Sequence, residues 1–337
     1  MIEKVKEILL DGVKKEEFPG GQFCLIENNE IKCDFVGYKS LYPTKLNTSD
    51  EVLYDIASLS KVVSTNTLIF KLIEEGKLTL KTKVKNILPK YKHESTIEEM
   101  LFHTSGLRPL IKNHATVKTK KELVDAIYSE ELIYPPYTKI AYSDTGFMLL
   151  GFIIEKLSEK SLDMYAEEVF IKPLNMTNTT YKPNKETTAT TEFDKELNKY
   201  VNGFVHDERS RILNGLSGHA GLFSTAKDLA KFINSFLNDE KIISKENKEL
   251  IFQTDFTKLS LNDNQLIRTY GFEKYNLGHE LIGHTGFTGC NMWIDNNNKR
   301  GFVLLTNAVH PKRELNKIFG YRRKIFELYY KKEESNV

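Results

Sequence analysis

The sequence has no excess of charge of either sign and no long hydrophobic segment, and each shortage excludes a class of protein. Lys and Arg number 48 and Asp and Glu 46, a net charge of +2, so we expect no nucleic-acid partner. The longest apolar run, FMLLGFII at 147–154, is too short to span a bilayer, so we expect no membrane association. The first residues carry acids and lack a long apolar core, unlike a secretory signal, so a cytoplasmic location is expected.

Cysteine is scarce as well, with Cys24, Cys33 and Cys290 in 337 residues. An odd number of cysteines without a secretory signal favours three free thiols. The sequence contains no C-x-x-C or H-E-x-x-H pattern, and its eight histidines show no metal-ligand spacing. We therefore expect neither a metal nor another cofactor.

Hydrophobic periodicity predicts strands near both ends of the chain and helices between them. An N-terminal helix precedes a hairpin at 20–40 with an Asn-Asn-Glu turn, and three strand-like runs from 280 to 309 precede a final helix at 313–330. Residues 183–200 are polar and predict a loop. The expected fold class is α+β, an antiparallel sheet flanked by the terminal helices, with a large, mostly helical insertion. We expect a single domain over 1–337, its α/β part at about 1–75 and 268–337 and its helical part at about 76–267.

Three helix starts in the central part carry a Ser or Thr followed three residues later by an acid. These predicted caps are Ser95 with Glu98, Thr119 with Glu122, and Thr225 with Asp228.

The stretch YDIASLSKVVST, residues 54–65, contains a serine and a lysine three positions apart at the start of an apolar helix. Residues at i and i+3 lie on one side of a helix, so Ser58 and Lys61 are neighbours. A buried lysine loses part of its preference for the charged state and can act as a base toward the hydroxyl. The alternative is a serine cap with a solvated lysine.

Two further segments carry polar groups at element ends. Tyr142, Ser143 and Asp144 precede a strongly apolar helix, which predicts a cap that fixes the turn and presents the Tyr142 hydroxyl to a cleft. Glycines in HTGFTG, 284–289, indicate a strand that approaches a ligand closely and donates a backbone N–H, or else a simple strand edge.

Four other residues are candidates that we interpret as structural. His206, Asp207 and His219 lie in a glycine-containing segment that leads into a helix, so we leave them out of the catalytic set. His103 is expected to be a hydrogen-bonded core histidine.

With these segments in order, the chain resembles the serine β-lactamase and penicillin-binding-protein superfamily. The resemblance is closest to the branch with class C β-lactamases, D-aminopeptidases and family VIII esterases. It covers nearly the whole chain through the segments LFHTSGL (101–107), YSDTGFMLLG (142–151), PLNM (173–176), GHAGLFSTAKDLAKF (218–232) and HTGFTG (284–289). The resemblance implies the β-lactamase-like, or transpeptidase-like, fold.

The resemblance also implies roles for individual residues. Ser58 would be acylated with Lys61 beside it, and Tyr142 matches the family's Tyr-x-Asn tyrosine. The family's Lys-Thr-Gly strand matches His284, Thr285 and Gly286, and the N–H groups of Ser58 and Phe287 would form the oxyanion hole.

Three positions depart from the family pattern. Asp144 replaces the asparagine that helps to bind the β-lactam amide, His284 replaces the lysine that attracts its carboxylate, and Asn175 replaces a glycine. These changes argue against an efficient β-lactamase and leave Ser58, Lys61 and Tyr142 in place.

The sequence therefore predicts a serine hydrolase that works through an acyl-enzyme on small esters or peptide-like amides, with a β-lactam-like molecule as a further possible ligand. Two alternatives stay open, an amidase or peptidase on cell-wall muropeptides or D-amino-acid peptides, and a penicillin-recognising protein that is acylated without turnover. The sequence does not predict the natural substrate or the oligomeric state.

Overall fold

The computed structural model describes residues 1–262, 265–276 and 280–330. The last seven residues of the predicted domain, 331–337, lie outside this part of the chain. The strands are β1 Gly20–Glu27, β2 Glu30–Ser40, β3 Leu46–Asn47, β4 Tyr54–Asp55, β5 Phe193–Asp194, β6 Lys199–Tyr200, β7 Phe223–Ser224, β8 Phe256–Leu259, β9 Gln265–Arg268, β10 Glu273–Asn276, β11 Glu280–Thr285, β12 Asn291–Asp295 and β13 Arg300–Thr306. The α-helices are α1 Ile2–Lys14, α2 Thr67–Glu74, α3 Val84–Ile87, α4 Ile97–Leu101, α5 Lys120–Ser129, α6 Asp144–Ser158, α7 Leu162–Ala166, α8 Glu208–Ile212, α9 Ala226–Asn238, α10 Lys245–Gln253 and α11 Ile318–Tyr330.

Nine strands form one antiparallel sheet in the order β3-β2-β1-β13-β12-β11-β10-β9-β8. The N-terminal hairpin pairs with the C-terminal strand β13, which joins the two ends of the chain as the sequence predicts. Strands β8 and β9 extend the sheet but fall in the segment that the sequence assigns to the helical part. Their side chains are mostly exposed, so they lack the apolar alternation by which a strand is recognised.

Each face of the sheet buries its own apolar cluster because side chains alternate along a strand. On β1, Phe23 and Leu25 face the cluster formed with α1 and α11, whereas Cys24 and Ile26 face the larger cluster shared with the helical part. The predicted fold class, an antiparallel sheet flanked by the terminal helices with a large helical insertion, is confirmed, and the two sets of helices cover opposite faces of the sheet. The final helix, however, begins at Ile318, after a separate 3₁₀ turn at Arg313–Leu315.

The prediction of three free thiols is wrong, because Cys24 and Cys33 form a disulfide. The predicted three-residue turn, 28–30, would place Cys24 opposite Asp34. The hairpin instead turns on Asn28 and Asn29, both with positive φ, and pairs Cys24 directly with Cys33 at a Cα–Cα distance of 4.1 Å. Cys290 is a free, buried thiol.

The helix starts of the central part follow the predicted cap chemistry with one shift. Thr119 and Thr225 accept hydrogen bonds from the backbone N–H of Glu122 and Asp228, as expected. The remaining capping box lies one residue later than predicted and joins Thr96 to Glu99. In the described part of the chain, no helix has both the length and the apolar character needed to cross a membrane.

Candidate active site

The position of Ser58 is set by a tight turn between β4 and the helix that leads to α2. Ala57 has a φ of 47°, a conformation that residues other than glycine rarely adopt. The Asp55 carboxylate accepts hydrogen bonds from the N–H groups of Ala57 at 2.9 Å and His206 at 2.7 Å, which fixes this turn. Burial raises the pKa of Asp55 in spite of these two bonds.

Lys61 lies one turn beyond Ser58 and is completely buried. Its Nζ donates a hydrogen bond to Ser58 Oγ at 3.0 Å. The helix is π-helical over Lys61–Asn66, a local widening that is frequent at functional sites. The two residues are therefore neighbours, and the lysine is not a solvated surface charge.

Lys61 also contacts an oxygen of Asp144 at 2.8 Å and the backbone carbonyl of His219 at 3.1 Å. With Ser58 Oγ and a hydrogen bond with Tyr142, these partners surround the Lys61 Nζ. Burial alone would lower the pKa of Lys61, but the charge of Asp144 and the hydrogen bonds with Asp144 and Tyr142 outweigh it, so the pKa is raised. The sequence interpretation expects a net lowering by burial, and the net shift is in the opposite direction because Asp144 and Tyr142 both lie beside the ammonium group.

Tyr142, which belongs to the helical part, lies beside Ser58 and Lys61. The following residue, Ser143, caps α6 by accepting a hydrogen bond from the Gly146 N–H at 3.2 Å, so the cap predicted here is present. Lys61 Nζ lies 4.8 Å from the centre of the Tyr142 ring. Burial raises the pKa of Tyr142, although the charge of Lys61 and hydrogen bonds with Lys61 and Ser58 oppose that shift.

His103 packs against Tyr142 and is a core residue, as expected. The two ring centres are 4.5 Å apart, and His103 Nδ1 accepts a hydrogen bond from the Ser143 N–H at 3.0 Å. Burial holds the pKa of His103 well below its ordinary value, so the ring is neutral.

The end of β11 closes the site on the side of the sheet. Gly286 permits a close backbone approach, since a Cβ at this position would lie 2.6 Å from the carbonyl oxygen of Ile56. This contact brings Phe287 beside the Ser58 turn. Among the described residues, the N–H groups of Ser58 and Phe287 donate to no other residue, so both are available to a substrate oxygen.

His284 and Thr285 line the same side of the cleft. His284 is buried, and burial together with the charges of Arg268 and Lys61 lowers its pKa to about 3. Its Nδ1 lies 2.8 Å from the carbonyl oxygen of Thr285, so Nδ1 carries the proton and Nε2 is an acceptor. An uncharged ring therefore occupies the position that matches the family's lysine.

The structure adds residues that the sequence interpretation left out. Asp207, Arg209 and His219 lie beside Asp144, and Asp207 contacts both His219 Nε2, at 2.8 Å, and Arg209, at 2.5 Å. Burial alone would raise the pKa of Asp207, but His219 and Arg209 hold it well below its ordinary value. Signals for this cluster were present in the sequence, the His-Asp pair at 206–207 and the GHAGLF segment, but neither indicates that the two segments meet at Lys61.

The same cluster is the arrangement closest to a metal site within the described residues. Ligand atoms of Asp144, Asp207 and His219 lie within 4.8 Å of one another. Lys61 and Arg209 already place two positive charges beside the two carboxylates. These two side-chain charges offset those of the two carboxylates.

The chain is similar to known proteins over almost its full length. The β-lactamase family model matches residues 5–325. An N-acetylmuramyl-L-alanine amidase of Bacillus subtilis (strain 168) is 31% identical, covering 87% of this chain and 78% of its own. A putative D-alanyl-D-alanine carboxypeptidase of Escherichia coli (strain K12) is 30% identical, covering 80% of this chain and 71% of its own.

Solved structures show the same architecture. An octameric penicillin-binding protein homologue from Pyrococcus abyssi has a TM-score of 0.76 at 24% identity, over 96% of this chain and 77% of that one. A class C β-lactamase has a TM-score of 0.74 at 20% identity, over 94% and 96% of the two chains. These likenesses establish the β-lactamase/transpeptidase-like fold. The chain belongs to the β-lactamase family and is a serine hydrolase of that family.

Proposed function

We propose that the protein hydrolyses peptide-like amides of the kind found in cell-wall fragments through an acyl-enzyme on Ser58, and that it also accepts small activated esters. The observation that carries this proposal is the contact of Ser58 Oγ with a fully buried Lys61 ammonium, 3.0 Å away and held by Asp144. An amine leaves an acyl centre only after it gains a proton, whereas an activated ester needs none. The Lys61 charge favours an ionised Tyr142, which can take the Ser58 proton and pass it to the leaving nitrogen, and amide cleavage needs this transfer.

In the proposed mechanism, Lys61 stays protonated and Tyr142 moves the proton. The Tyr142 oxygen, ionised for a small fraction of the time and stabilised by the Lys61 charge, takes the proton from Ser58 Oγ as that oxygen attacks the carbonyl carbon. The carbonyl oxygen, now negative, lies between the N–H groups of Ser58 and Phe287. Tyr142 then gives the proton to the leaving nitrogen, and water attacks the acyl group by the same route in reverse.

Names of the relatives support amides over other substrates. The Bacillus protein is named for cleavage of an N-acetylmuramyl-L-alanine amide, and the Escherichia protein is named as a putative carboxypeptidase. Both activities break an amide bond. We further propose that the chain works as one hydrolase unit, because Ser58, Tyr142 and Phe287 come from three separate segments and meet at one cleft.

A labelling experiment tests the nucleophile, and a turnover experiment tests hydrolysis. A fluorophosphonate probe is expected to add one adduct mass to the wild-type protein and none to Ser58→Ala. The protein is then mixed with amide and ester substrates, each at a concentration well above that of the active sites. Continued product release supports a hydrolase, whereas release of one equivalent followed by a stop indicates a penicillin-recognising protein that does not turn over.

A further inference from the structure

Two charged side chains beside the Lys61–Asp144 pair, Asp207 and Arg209, have no role in the proposed mechanism. Asp207 precedes helix α8, and Arg209 is the second residue of that helix. Their side chains are only 19% and 13% exposed. Because a buried charge is costly unless it is paired, the partners of these two side chains determine what they do for the site.

Arg209 lies between two carboxylates and forms a hydrogen bond with only one of them. Its Nη2 is 2.5 Å from Asp207 Oδ2 but 3.9 Å from Asp144 Oδ2, which is beyond hydrogen-bond length. The other oxygen of Asp144, Oδ1, contacts Lys61 Nζ at 2.8 Å. Lys61 therefore has the close contact with Asp144, and Arg209 has the close contact with Asp207.

Asp207 is itself held in place from two sides. Its Oδ1 accepts hydrogen bonds from the Ser210 N–H at 2.9 Å, as the cap of α8, and from His219 Nε2 at 2.8 Å. Nε2 carries the proton of this contact, since an ionised carboxylate only accepts. The backbone carbonyl of His219 in turn accepts a hydrogen bond from Lys61 Nζ. One carboxylate thus fixes two of the residues that surround Lys61 and Asp144.

The position of Arg209 affects the charge that Lys61 and Tyr142 experience. Burial has the largest effect on the pKa of each of these two groups, and the Asp144 carboxylate raises both pKa values. A guanidinium in contact with Asp144 would cancel much of that influence, because opposite charges in contact offset each other. The Lys61–Tyr142 pair would then lose a proton at lower pH.

Other titratable groups also face this pair. His103 lies against the Tyr142 ring, and His284 and Arg268 lie on the side of the sheet. Burial, the largest effect, lowers the pKa of both histidines, so their rings are uncharged. Further out, the cleft is lined by Asp55, His114, His206, Glu208 and Arg313. Among the described residues, none of these side chains bonds to Arg209, so the choice of its partner lies between the two carboxylates.

We propose that Asp207 is a positioning residue for the acylation of Ser58, which holds Arg209 away from Asp144 and so reserves the Asp144 carboxylate for Lys61. Neither Asp207 nor Arg209 touches the reacting atoms in this assignment. The proposal rests on the proposed function, since it assumes that the reactive form arises when Lys61 and Tyr142 together lose one proton.

Asp207→Asn tests the proposal with little change in shape. Asparagine also caps a helix, so α8 keeps its hydrogen bond from Ser210, but the charge that holds Arg209 is lost. Arg209 is then expected to turn to Asp144, and the alkaline rise in the acylation rate should move to lower pH by about 1 unit. Arg209→Gln removes the cation, so the rise should move to higher pH.

The double variant separates positioning from a direct effect of the Asp207 charge. If Asp207 acts through Arg209, Asp207→Asn should shift the profile by less than about half as much in the Arg209→Gln background as in the wild type. Two independent charges would give equal shifts in both backgrounds. The measurement is a pH–rate profile of pre-steady-state acylation by one activated ester, with the rate of Ser58→Ala subtracted.

A second ion pair on the same helix provides the matched controls. Arg211 Nη2 lies 2.6 Å from Asp194 Oδ2, and neither residue is among the described residues that line the cleft at Ser58. Asp194→Asn and Arg211→Gln remove the same kinds of charge, and their profiles should coincide with that of the wild type.

Three results overturn the proposal. They are a profile of Asp207→Asn that stays in place, one that moves to higher pH, and equal shifts in the two backgrounds. If Asp207→Asn fails to fold, Asp207→Ser, which also caps a helix, and Arg209→Gln take its place. A profile that neither of these variants moves counts against the proposal in the same way.

Failure of the proposed function gives a different pattern, in which no protein, the wild type included, shows Ser58-dependent acylation. The ionisation of the pair is then measured without a substrate. Tyrosinate absorbance is compared with that of Tyr142→Phe, and NMR of isotope-labelled lysine is assigned with Lys61→Met. Asp207→Asn should lose the proton at lower pH than the wild type, and identical titrations would overturn the role of Asp207 as well.

Discussion

At the scale of single residues, the charge of Lys61 determines how Ser58 is activated. Asp144 and Tyr142 raise the pKa of Lys61, so in the resting protein Nζ is an ammonium group and has no lone pair with which to take a proton. Its contribution is then a fixed positive charge that stabilises an ionised Tyr142. This differs from the simple lysine base that the sequence suggests, although both assignments place Lys61 in the same proton path.

Substitution of Lys61 or of Tyr142 is expected to slow the acylation of Ser58 by about 10²–10⁴-fold. Lys61→Met loses the charge, and Tyr142→Phe loses the oxygen that receives the proton. The double variant should lose less free energy than the sum of the single losses, because the two residues act as one unit. The measurement is pre-steady-state acylation by one activated ester.

The matched control for Lys61→Met is Lys71→Met, which removes a partly exposed lysine on α2. That variant should acylate at the wild-type rate. Wild-type acylation by Lys61→Met, with an unchanged melting temperature, would mean that the lysine charge has no part in catalysis.

Asp144→Asn is expected to shift the pH dependence of acylation. The Asp144 carboxylate raises the pKa of both Lys61 and Tyr142, although burial is the largest effect on each group. The reactive form is the one in which Lys61 and Tyr142 together have lost one proton. It is populated at pH values above the apparent pKa at which this coupled pair loses that proton. Without the carboxylate, the alkaline rise in acylation rate should move to lower pH by about 1–3 units.

The experiment is a pH–rate profile of acylation for the wild type, Asp144→Asn and the control Asp125→Asn, which changes an exposed acid on α5. The control profile should coincide with that of the wild type. A profile for Asp144→Asn that stays in place or moves to higher pH contradicts the assigned role of Asp144.

At the scale of elements, the approach of β11 to the Ser58 turn forms the proposed oxyanion hole. A methyl group at Gly286 would meet the Ile56 carbonyl at 2.6 Å, so Gly286→Ala must push the strand and the turn apart. Loss of an oxyanion donor typically costs about 10²–10³-fold in kcat. We expect a loss of this size for Gly286→Ala in steady-state ester hydrolysis.

Gly320→Ala is the corresponding control because a Cβ there meets nothing within 4 Å. It should keep full activity and, within helix α11, stabilise the protein slightly. Full activity of Gly286→Ala would show that the Phe287 N–H does not contribute to catalysis.

The hairpin disulfide is a second element-scale feature with a measurable contribution. The cysteines are separated by nine positions, and closure of a loop of this length stabilises a folded chain by about 2–3 kcal/mol in the chain-entropy model. Reduction should lower the free energy of unfolding of the wild type by this amount. A Cys24→Ser, Cys33→Ser double variant should not respond to reductant.

Thiol titration of the denatured, non-reduced protein checks the pairing directly. One thiol, Cys290, is expected, and three thiols would exclude the disulfide. Disulfides are typical of oxidising compartments, so the bridge is at odds with the cytoplasmic location, which stays a prediction.

At the scale of the whole molecule, the sequence predicted features that depend on neighbouring residues, and it did not predict contacts between residues distant in the chain. Thr119, Ser143 and Thr225 cap helices as expected, since a cap depends on a residue and the three that follow it. The neighbouring positions of Ser58 and Lys61 follow from helix geometry for the same reason. The order of the motifs along the chain was enough to predict the fold because the family resemblance extends over nearly all of it.

The features that the sequence did not predict depend on contacts between distant segments. The pairing of Cys24 with Cys33 depends on whether the hairpin turn contains two residues or three. Arg268 carries no local signal, since it ends a short, mostly exposed strand and reaches the cleft through the pairing of β9 with β10. Asp207 meets Asp144 because two segments of the helical part fold over Lys61.

Glu192 connects the helical part to the C-terminal part of the chain, so its ionisation bears on the stability of the whole molecule. It accepts hydrogen bonds from His206 Nε2 at 3.0 Å and from Arg313 at 2.8–2.9 Å. Burial alone would raise its pKa, but the bonds from His206 and Arg313 lower the pKa of Glu192 to about 2. The folded-state pKa is depressed, so the stabilisation is present above the unfolded-state value of about 4.3 and is lost as the pH falls toward 2.

Glu192→Gln should therefore lower the free energy of unfolding by about 2 kcal/mol at pH 7, allowing for partial solvent screening, and by roughly half as much at pH 3. Glu196→Gln is the matched control, because that glutamate is 78% exposed and its ion pair with Lys118 lies at the surface. Denaturant unfolding of the three proteins at both pH values measures the difference. An equal loss for Glu192→Gln at pH 7 and pH 3 would mean that the side chain acts through packing. It would contradict the hypothesis that the ionised Glu192 carboxylate stabilises the contact between the two parts of the chain.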